Sequence, residues 1–375
     1  MNKLKAAVIG CGGIAFQKHL PALSKLKDKV NLAAFCDVVE ERAENAAKEF
    51  GSEDAQVYSD YKELLKDDSI DVVHVCTPNI SHSVITVDAL EAGKHVMCEK
   101  PMAINSKEAK KMLDAAKRTG KKLTIGYQNR FRNDSIALHQ ACEAGDLGDV
   151  YFAKAHAIRR RGVPTWGVFM DKEKQGGGPL IDIGTHALDL TLWLMNNYKP
   201  KLVAGSAFQK LKDKPEGNIF GPWDPEKYQV EDSAFGYIKM ENGATIMLES
   251  SWALNMLNGK EAQVTLCGTE AGAEMFGDAW KNEGYIKFNT TKYGQMVEAE
   301  TSGGAGVAYF EGEEADAGYL EANQWIDAVL EDKEPVVKPE EAFVVTQILE
   351  AIYQSAETGK AIEINEQEGI LSFTK

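Results

Sequence analysis

Apolar residues follow two rhythms along this chain, and the change comes near Tyr127. Before it, short and almost unbroken apolar runs alternate with stretches of helical spacing. Residues 5–9, Asn31–Asp37, Ile70–Pro78, His95–Glu99 and Lys122–Gly126 read as five strands covered on both faces, as parallel strands are. Helices are predicted over about Ile14–Leu26, Glu40–Phe50, Ser81–Ala92 and Ser106–Arg118, from apolar positions one turn apart and closing glycines at 51 and 93. Pro21 predicts a kink or a late start in the first of them. Strands and helices in this alternation specify a doubly wound parallel sheet.

After Tyr127 one further helix, Ser135–Ala144, gives way to strand signals in close succession. The clearest are Val150–Arg159, Leu202–Lys210, Ser233–Met240, Thr245–Ser251 and Ala262–Cys267, which together predict a mainly antiparallel sheet. Glu241-Asn242-Gly243 predicts a hairpin turn of type I′, because Asn-Gly tolerates positive φ. The Gly/Pro-rich piece Pro215–Pro225 reads as a loop. Tyr319–Leu330 and Glu340–Thr358 read as amphipathic helices, the second entered at Pro339 and closed by Gly359. The expected division is an α/β domain over 1–126 and an α+β domain over 127–375, with the last helices able to pack back on the first.

Composition narrows the function. A chain of 375 residues, 44% apolar, can bury the core of two domains. Its 42 basic against 57 acidic residues leave a formal charge of −15, which argues against a nucleic acid or an anionic membrane surface as partner. Only about five apolar residues precede the first glycines, too few for a secretory signal or a membrane span, so a cytoplasmic protein is expected. Cysteines at 11, 36, 76, 98, 142 and 267 form no C-x-x-C pair and read as small buried hydrophobes, not as a disulfide framework or a zinc cluster.

Gly10-Cys11-Gly12-Gly13-Ile14-Ala15 fits G-x-G-x-x-A between a strand and a helix. The first glycine would serve the turn, the second a close backbone approach to a pyrophosphate, and the small Ala15 the packing of the helix. Asp37, ending the next strand, can accept hydrogen bonds from ribose hydroxyls and would repel a 2′-phosphate. NAD is therefore expected over NADP, which Arg42 nearby keeps open. Lys100 stands just past the fourth strand, where its ammonium can polarise a substrate oxygen and Glu99 can orient it or contact the cofactor.

Gly176-Gly177-Gly178-Pro179 reads as a mobile start to an apolar helix carrying Asp182, His186 and Asp189 at spacings of four and three, hence on one face. The opposite set, Ile183, Ala187, Leu190 and Leu194, would pack. Histidine exchanges protons near neutrality and a carboxylate one turn away can set its tautomer. The bland alternative makes Asp182 a helix cap and His186 a core histidine. A zinc site from Asp182, His186 and His156 lacks the usual paired ligands, so no metal is expected.

Taken with Cys76-Thr77-Pro78-Asn79, His82 and Glu99-Lys100-Pro101, these motifs resemble the Gfo/Idh/MocA family of glucose-fructose oxidoreductases and inositol dehydrogenases over most of the chain. The resemblance implies an NAD(P)-binding Rossmann domain followed by an open-sheet domain that forms a homo-dimer or homo-tetramer. It implies that His186 accepts a proton, that Lys100 and Asp182 position and polarise a secondary hydroxyl, and that hydride passes to nicotinamide. Thr77, Pro78, Asn79 and His82 would border the cofactor, and the peptide before Pro101 would be cis. Gln128 and Arg130, at the family's domain junction, would reach the site, Gln128 toward the cofactor and Arg130 toward the substrate.

His156, Arg160 and Trp166, with Arg159 and Arg161, precede the catalytic helix and would suit a hydroxyl-rich, phosphorylated or acidic sugar, or else lie at the surface or an oligomer contact. The expected activity is dehydrogenation of a sugar, inositol or related polyol. The alternatives are an NAD-dependent glycoside hydrolase working by transient oxidation, and a non-catalytic sugar or dinucleotide sensor.

Overall fold

Leu4–Ile9, flanked by no charge after Lys5, forms β1 and runs straight into the glycine turn. In this computed structural model, which describes residues 3–278, 283–301, 316–364 and 371–373, a wide π turn over Ala15–His19 then leads into α1 (Leu20–Ser24). Leu20 N–H reaches back five residues to the Ala15 carbonyl, and Pro21, which has no N–H to give, sits in the first turn of α1. The late start read from Pro21 is thus a change of helical pitch.

There follow β2 (Val30–Cys36), α2 (Glu40–Phe50), β3 (Gln56–Tyr58), α3 (Tyr61–Leu64), β4 (Val72–Val75), α4 (Asn79–Glu91), β5 (His95–Cys98), α5 (Ser106–Thr119) and β6 (Leu123–Ile125). All pair in parallel in the order β3-β2-β1-β4-β5-β6. The sixth strand, β3, is a three-residue edge with no buried side chain, so no apolar run marks it.

Next come α6 (Asn133–Glu143), β7 (Phe152–Ile158), α7 (Lys172–Gln175), a second π turn at Leu180–Gly184 and α8 (Thr185–Met195). β8 (Pro200–Phe208), β9 (Ser233–Met240), β10 (Thr245–Ser251), β11 (Lys260–Cys267), β12 (Ala271–Asp278), β13 (Glu283–Lys292) and β14 (Gln295–Glu300) follow, then α9 (Ala317–Leu330), α10 (Pro339–Thr358), β15 (Ile362–Ile364) and β16 (Leu371–Phe373). The ten strands form one sheet, β14-β13-β12-β11-β7-β10-β9-β8-β15-β16, antiparallel except where β7 meets β10. The β9–β10 turn differs from the expected type I′. Only Gly243 has positive φ, Gly243 N–H bonds to the Met240 carbonyl, and Met240 N–H bonds to that of Ala244. This is a three-residue connection with a left-handed last residue.

The chain divides into two units, Met1–Phe131 with Glu314–Phe343, and Arg132–Glu313 with Val344–Lys375. In the first, Trp325, Ile326 and Ala322 of α9 join Leu20, Leu23, Leu26 and Val30 in one core. In the second, Ala153, Ala155 and Ala157 of β7 share a sheet face with Ile246, Leu248 and Ser250 of β10. Small side chains there let the segment carrying the second π turn and α8 lie close: the Ser250 hydroxyl donates to the Pro179 carbonyl at 2.8 Å.

Candidate active site

The glycine turn is built from within the first unit. Gly10 has φ +93°, and a Cβ there would lie 2.6 Å from the Cys76 carbonyl oxygen. At Gly12 and Gly13 a Cβ would meet no atom within 4 Å. The protein's own packing therefore does not demand glycine at these two positions, and a bare backbone open to an approaching pyrophosphate fits NAD. Ile14 follows, partly exposed, and Ala15 is fully buried in the helix packing. Asp37 Oδ2 accepts from Cys11 N–H at 2.9 Å and Oδ1 from Val39 N–H at 2.8 Å, so the carboxylate also braces the turn. Arg42 Nη1 lies 3.9 Å from the same carboxylate.

At the end of β5 the Lys100–Pro101 peptide is cis. Glu99 is buried, its Oε1 receives Lys18 and His19 Nε2 (2.8 Å for the latter), and its Oε2 accepts the Lys100 backbone N–H at 3.0 Å. Glu99 thus holds the Lys100 backbone at the end of β5. Burial alone would raise the Glu99 pKa, but Lys18 and His19 hold it well below the carboxylate range. Lys18 also pairs with Glu321 of α9 at 3.0 Å, and His19 Nδ1 lies 3.0 Å from His74 Nδ1.

His82 is likewise buried, its ring nitrogens each 2.8 Å from a carbonyl oxygen, of Thr77 and of Pro101. It ties the Thr77 and Pro101 loops together. The Thr77 hydroxyl accepts from Ser81 at 2.9 Å, Pro78 is exposed and Asn79 buried at the start of α4. Gln128 is half-buried on the short 3-10 turn Gln128–Phe131. Arg130 on the same turn departs from its expected role at the substrate. Its guanidinium is fully buried and donates to the Val336 carbonyl at 3.1 Å and to Glu341 at 2.6 Å, fastening the returning segment to the first unit.

In the second unit the glycine run is packed, not mobile. Gly176, with φ +87°, ends α7, while a Cβ on Gly177 would collide with the Tyr353 phenol and one on Gly178 with the Glu231 carbonyl. The Glu231 carboxylate accepts from Gly178 N–H (2.9 Å), Leu180 N–H (3.2 Å) and the Tyr353 hydroxyl (2.7 Å). Burial pushes its pKa up. Asp182 sits inside the π turn with Oδ2 accepting from Trp252 Nε1–H at 3.0 Å, so it is not a cap.

Every residue from Gly177 to Leu192 is buried except His186. The separate packing face expected around Ile183 and Ala187 is instead the whole circumference, Asp189 included, and His186 is the side chain this segment shows to solvent. The wide turn also shifts Asp182 from the ordinary four-residue alignment with His186.

The residues before the helix split. His156 belongs to the sheet face opposite Ser250, with Nδ1 2.9 Å from Glu249 and Nε2 3.3 Å from Thr265, so it does not join Asp182 and His186. Arg159 chelates Glu261 at 2.7 and 2.5 Å. Burial would lower its pKa, but Glu261 and then Asp182 more than offset this. Arg160 is exposed and Trp166 half-exposed.

Sequence reading missed Lys18, His19, His74, Glu231, Tyr353 and Trp252, whose value lies in partners remote along the chain. The one feature that could have flagged any of them is the charge of Lys18-His19 in a stretch of apolar spacing soon after the glycine turn. Among the described residues no group of His, Cys, Asp or Glu could hold a metal, and no helix is long and apolar enough to cross a membrane. The six cysteines are free, and burial pushes the thiols of Cys11 and Cys36 up to about 12.

Comparison with known proteins adds to this geometry. The signature of an oxidoreductase family with an NAD-binding Rossmann fold matches residues 4–127, and that of the family's C-terminal alpha/beta domain matches residues 139–364. The chain is 37% identical to D-glucoside 3-dehydrogenase of Escherichia coli (strain K12) over 364 residues, 97% of this chain and 98% of that enzyme. It is 25% identical to myo-inositol 2-dehydrogenase of Thermotoga maritima over 366 residues, 97% of this chain and 99% of that enzyme. Levoglucosan dehydrogenase in complex with NADH and levoglucosan shares the fold, with a TM-score of 0.82 at 21% identity, covering 97% of this chain and 100% of that one.

Proposed function

The chain belongs to the Gfo/Idh/MocA family of NAD-binding oxidoreductases, and on that premise we propose that it oxidises the C3 hydroxyl of a D-glucoside. The broader activity, hydride transfer between a sugar or polyol CH–OH and NAD, is that of its named relatives. The observation that carries the proposal is His186, the partly exposed side chain on an otherwise buried segment that also holds the Asp182 carboxylate, fixed by Trp252.

When bound, NAD supplies the hydride acceptor. His186 takes the hydroxyl proton, Asp182 orients the hydroxyl, and Lys100, its backbone held by Glu99, polarises it. Asp37 favours NAD over NADP. The reading includes a cytoplasmic enzyme acting as a homo-dimer or homo-tetramer, which sedimentation checks.

The test is NADH formation by the purified protein across D-glucosides, free sugars and inositols. His186→Ala is expected to cut kcat by about 10²- to 10⁴-fold, the usual contribution of a positioned base, with NAD binding retained. Undiminished turnover would remove His186 from the mechanism.

A further inference from the structure

Trp166 is 51% exposed, yet its ring is firmly framed. Phe220 meets it edge-on at 4.8 Å and 90°, and Phe169 at 5.9 Å and 73°. Phe169 in turn packs edge-on against Trp252 at 6.3 Å and 76°, and Trp252 donates to Asp182. A row of aromatic rings therefore runs from the Asp182 carboxylate to the surface of the second unit.

The Gly/Pro-rich loop that delivers Phe220 is pinned to the segment carrying Trp166. Asn218 Oδ1 accepts from Val163 N–H at 2.8 Å, and its Nδ2 donates to the carbonyls of Val163 (3.0 Å) and Gly221 (2.6 Å). The Thr165 hydroxyl donates to the Phe220 carbonyl at 2.9 Å, and Ile219 N–H to that of Arg161 at 3.2 Å. Ile219 itself is 69% exposed. A connection that merely closed a gap would need neither this bracing nor an indole and an isoleucine turned to solvent. Rigid, preformed aromatic surface is what a stacking ligand uses, since little ordering entropy remains to be lost on binding.

We propose that Trp166, Phe220 and Ile219 form a subsite for the aglycone ring of a glycoside, so that the substrate carries a second ring beyond the sugar that is oxidised. The inference rests on the glucoside reading above. Phe169 separates Trp166 from Trp252, so the ring reacting at Asp182 and the ring stacking on Trp166 are different rings. Both an aryl group and a second pyranose present an apolar face to an indole.

The experiment compares methyl, phenyl and cellobiose-type glucosides in steady-state NADH formation, with the wild type and Trp166→Ala. The wild type is expected to favour the ring-bearing glucosides by about tenfold in kcat/KM, through KM, as befits one aromatic contact. In Trp166→Ala the ratio of phenyl to methyl glucoside should fall toward one, with Trp166→Phe keeping part of it; comparing phenyl glucoside with cellobiose decides which aglycone is preferred. A ratio unchanged by the substitution overturns the subsite. So does a changed sedimentation coefficient with unaltered kinetics, which would assign the rings to contact with a second copy. Calorimetric titration of the NAD-loaded protein with phenyl glucoside and with glucose separates the two claims. Failure of every glucoside to react, with Trp166-dependent binding of phenyl glucoside preserved, would overturn the C3 oxidation and leave the platform standing; equal binding in the wild type and Trp166→Ala would overturn the platform.

Discussion

Asp37 shows how one carboxylate can serve fold and cofactor together. Both its oxygens accept backbone N–H groups, of Cys11 in the glycine turn and of Val39, while its position at the end of β2 is where ribose hydroxyls are read. Asp37→Ala leaves those two N–H groups without their acceptor, and charge-assisted hydrogen bonds are worth about 1.5–3 kcal/mol each. It is expected to raise KM for NAD by about tenfold or more and to lower the melting temperature even without NAD. Asp37→Asn, which keeps an acceptor oxygen, should show the kinetic loss with a smaller change in melting. Kinetics and thermal melts of both variants check this. At this scale the sequence was legible where residue type and spacing decide, as at Gly10 and Asp37. It was not legible where a partner lies far along the chain: Arg130 reads as a substrate contact until Val336 and Glu341 are seen to occupy it, and the ties of Glu99 to Lys18 and His19 leave no mark on local spacing.

Elements were legible in proportion to their periodicity. The helices and the buried strands stand close to their expected bounds, whereas β12 to β14 escaped because β12 is broken by glycines at 272 and 277 and β14 is exposed at every position, with no alternation to find. The π turns escaped for another reason, since a shift of one residue cannot be seen in a segment such as 177–192 that is buried on nearly every side. The second of them is held from both sides, with the Glu231 carboxylate on its leading N–H groups and Tyr353 against Gly177. Gly177→Ala must displace the Tyr353 phenol, and overpacking of this kind costs about 1–3 kcal/mol. Tyr353→Phe removes the nearest obstacle, the hydroxyl, and leaves the ring carbon Cζ, 2.7 Å from the added Cβ, to give way. The double variant is therefore expected to be more stable than the sum of the two singles, by a coupling that urea unfolding of all four proteins measures. The same positioning makes Glu231→Ala an active-site variant at a distance: kcat should fall more than KM rises, because the turn that carries Asp182 loses its anchor.

For the molecule as a whole the charge balance is lopsided in a way that sets its response to acid. The chain has seven histidines, and the four in the first unit, His19, His74, His82 and His95, all have pKa values lowered by burial, His95 to about 4. Burial opposes protonation of each in the fold, although at His82 the two carbonyl oxygens facing its ring nitrogens favour the protonated form and offset part of this. Their stabilising contribution is thus whole above about pH 6.5, the unfolded value, and is lost as pH falls through it toward the lower folded values. Each such histidine steepens the loss by up to about 1.4 kcal/mol per pH unit. Opposing this, acid also relieves the repulsion of a chain with net charge −15, but those carboxylates are mostly exposed and screened by salt. Glu99 adds to the loss only further down, since its depressed pKa keeps its contribution until pH falls below the ordinary carboxylate range. Calorimetric melts should therefore show the first unit's transition falling between pH 7 and 5 while that of the second moves less. His74→Leu supplies the decisive comparison. Nε2 of His74 has no hydrogen-bond partner among the described residues, so its ring contributes a proton-dependent cost at low pH. Whatever the substitution does to absolute stability, the slope of stability against pH should drop by about one proton, and an unchanged slope would mean that His74 is not among the groups that the fold keeps neutral.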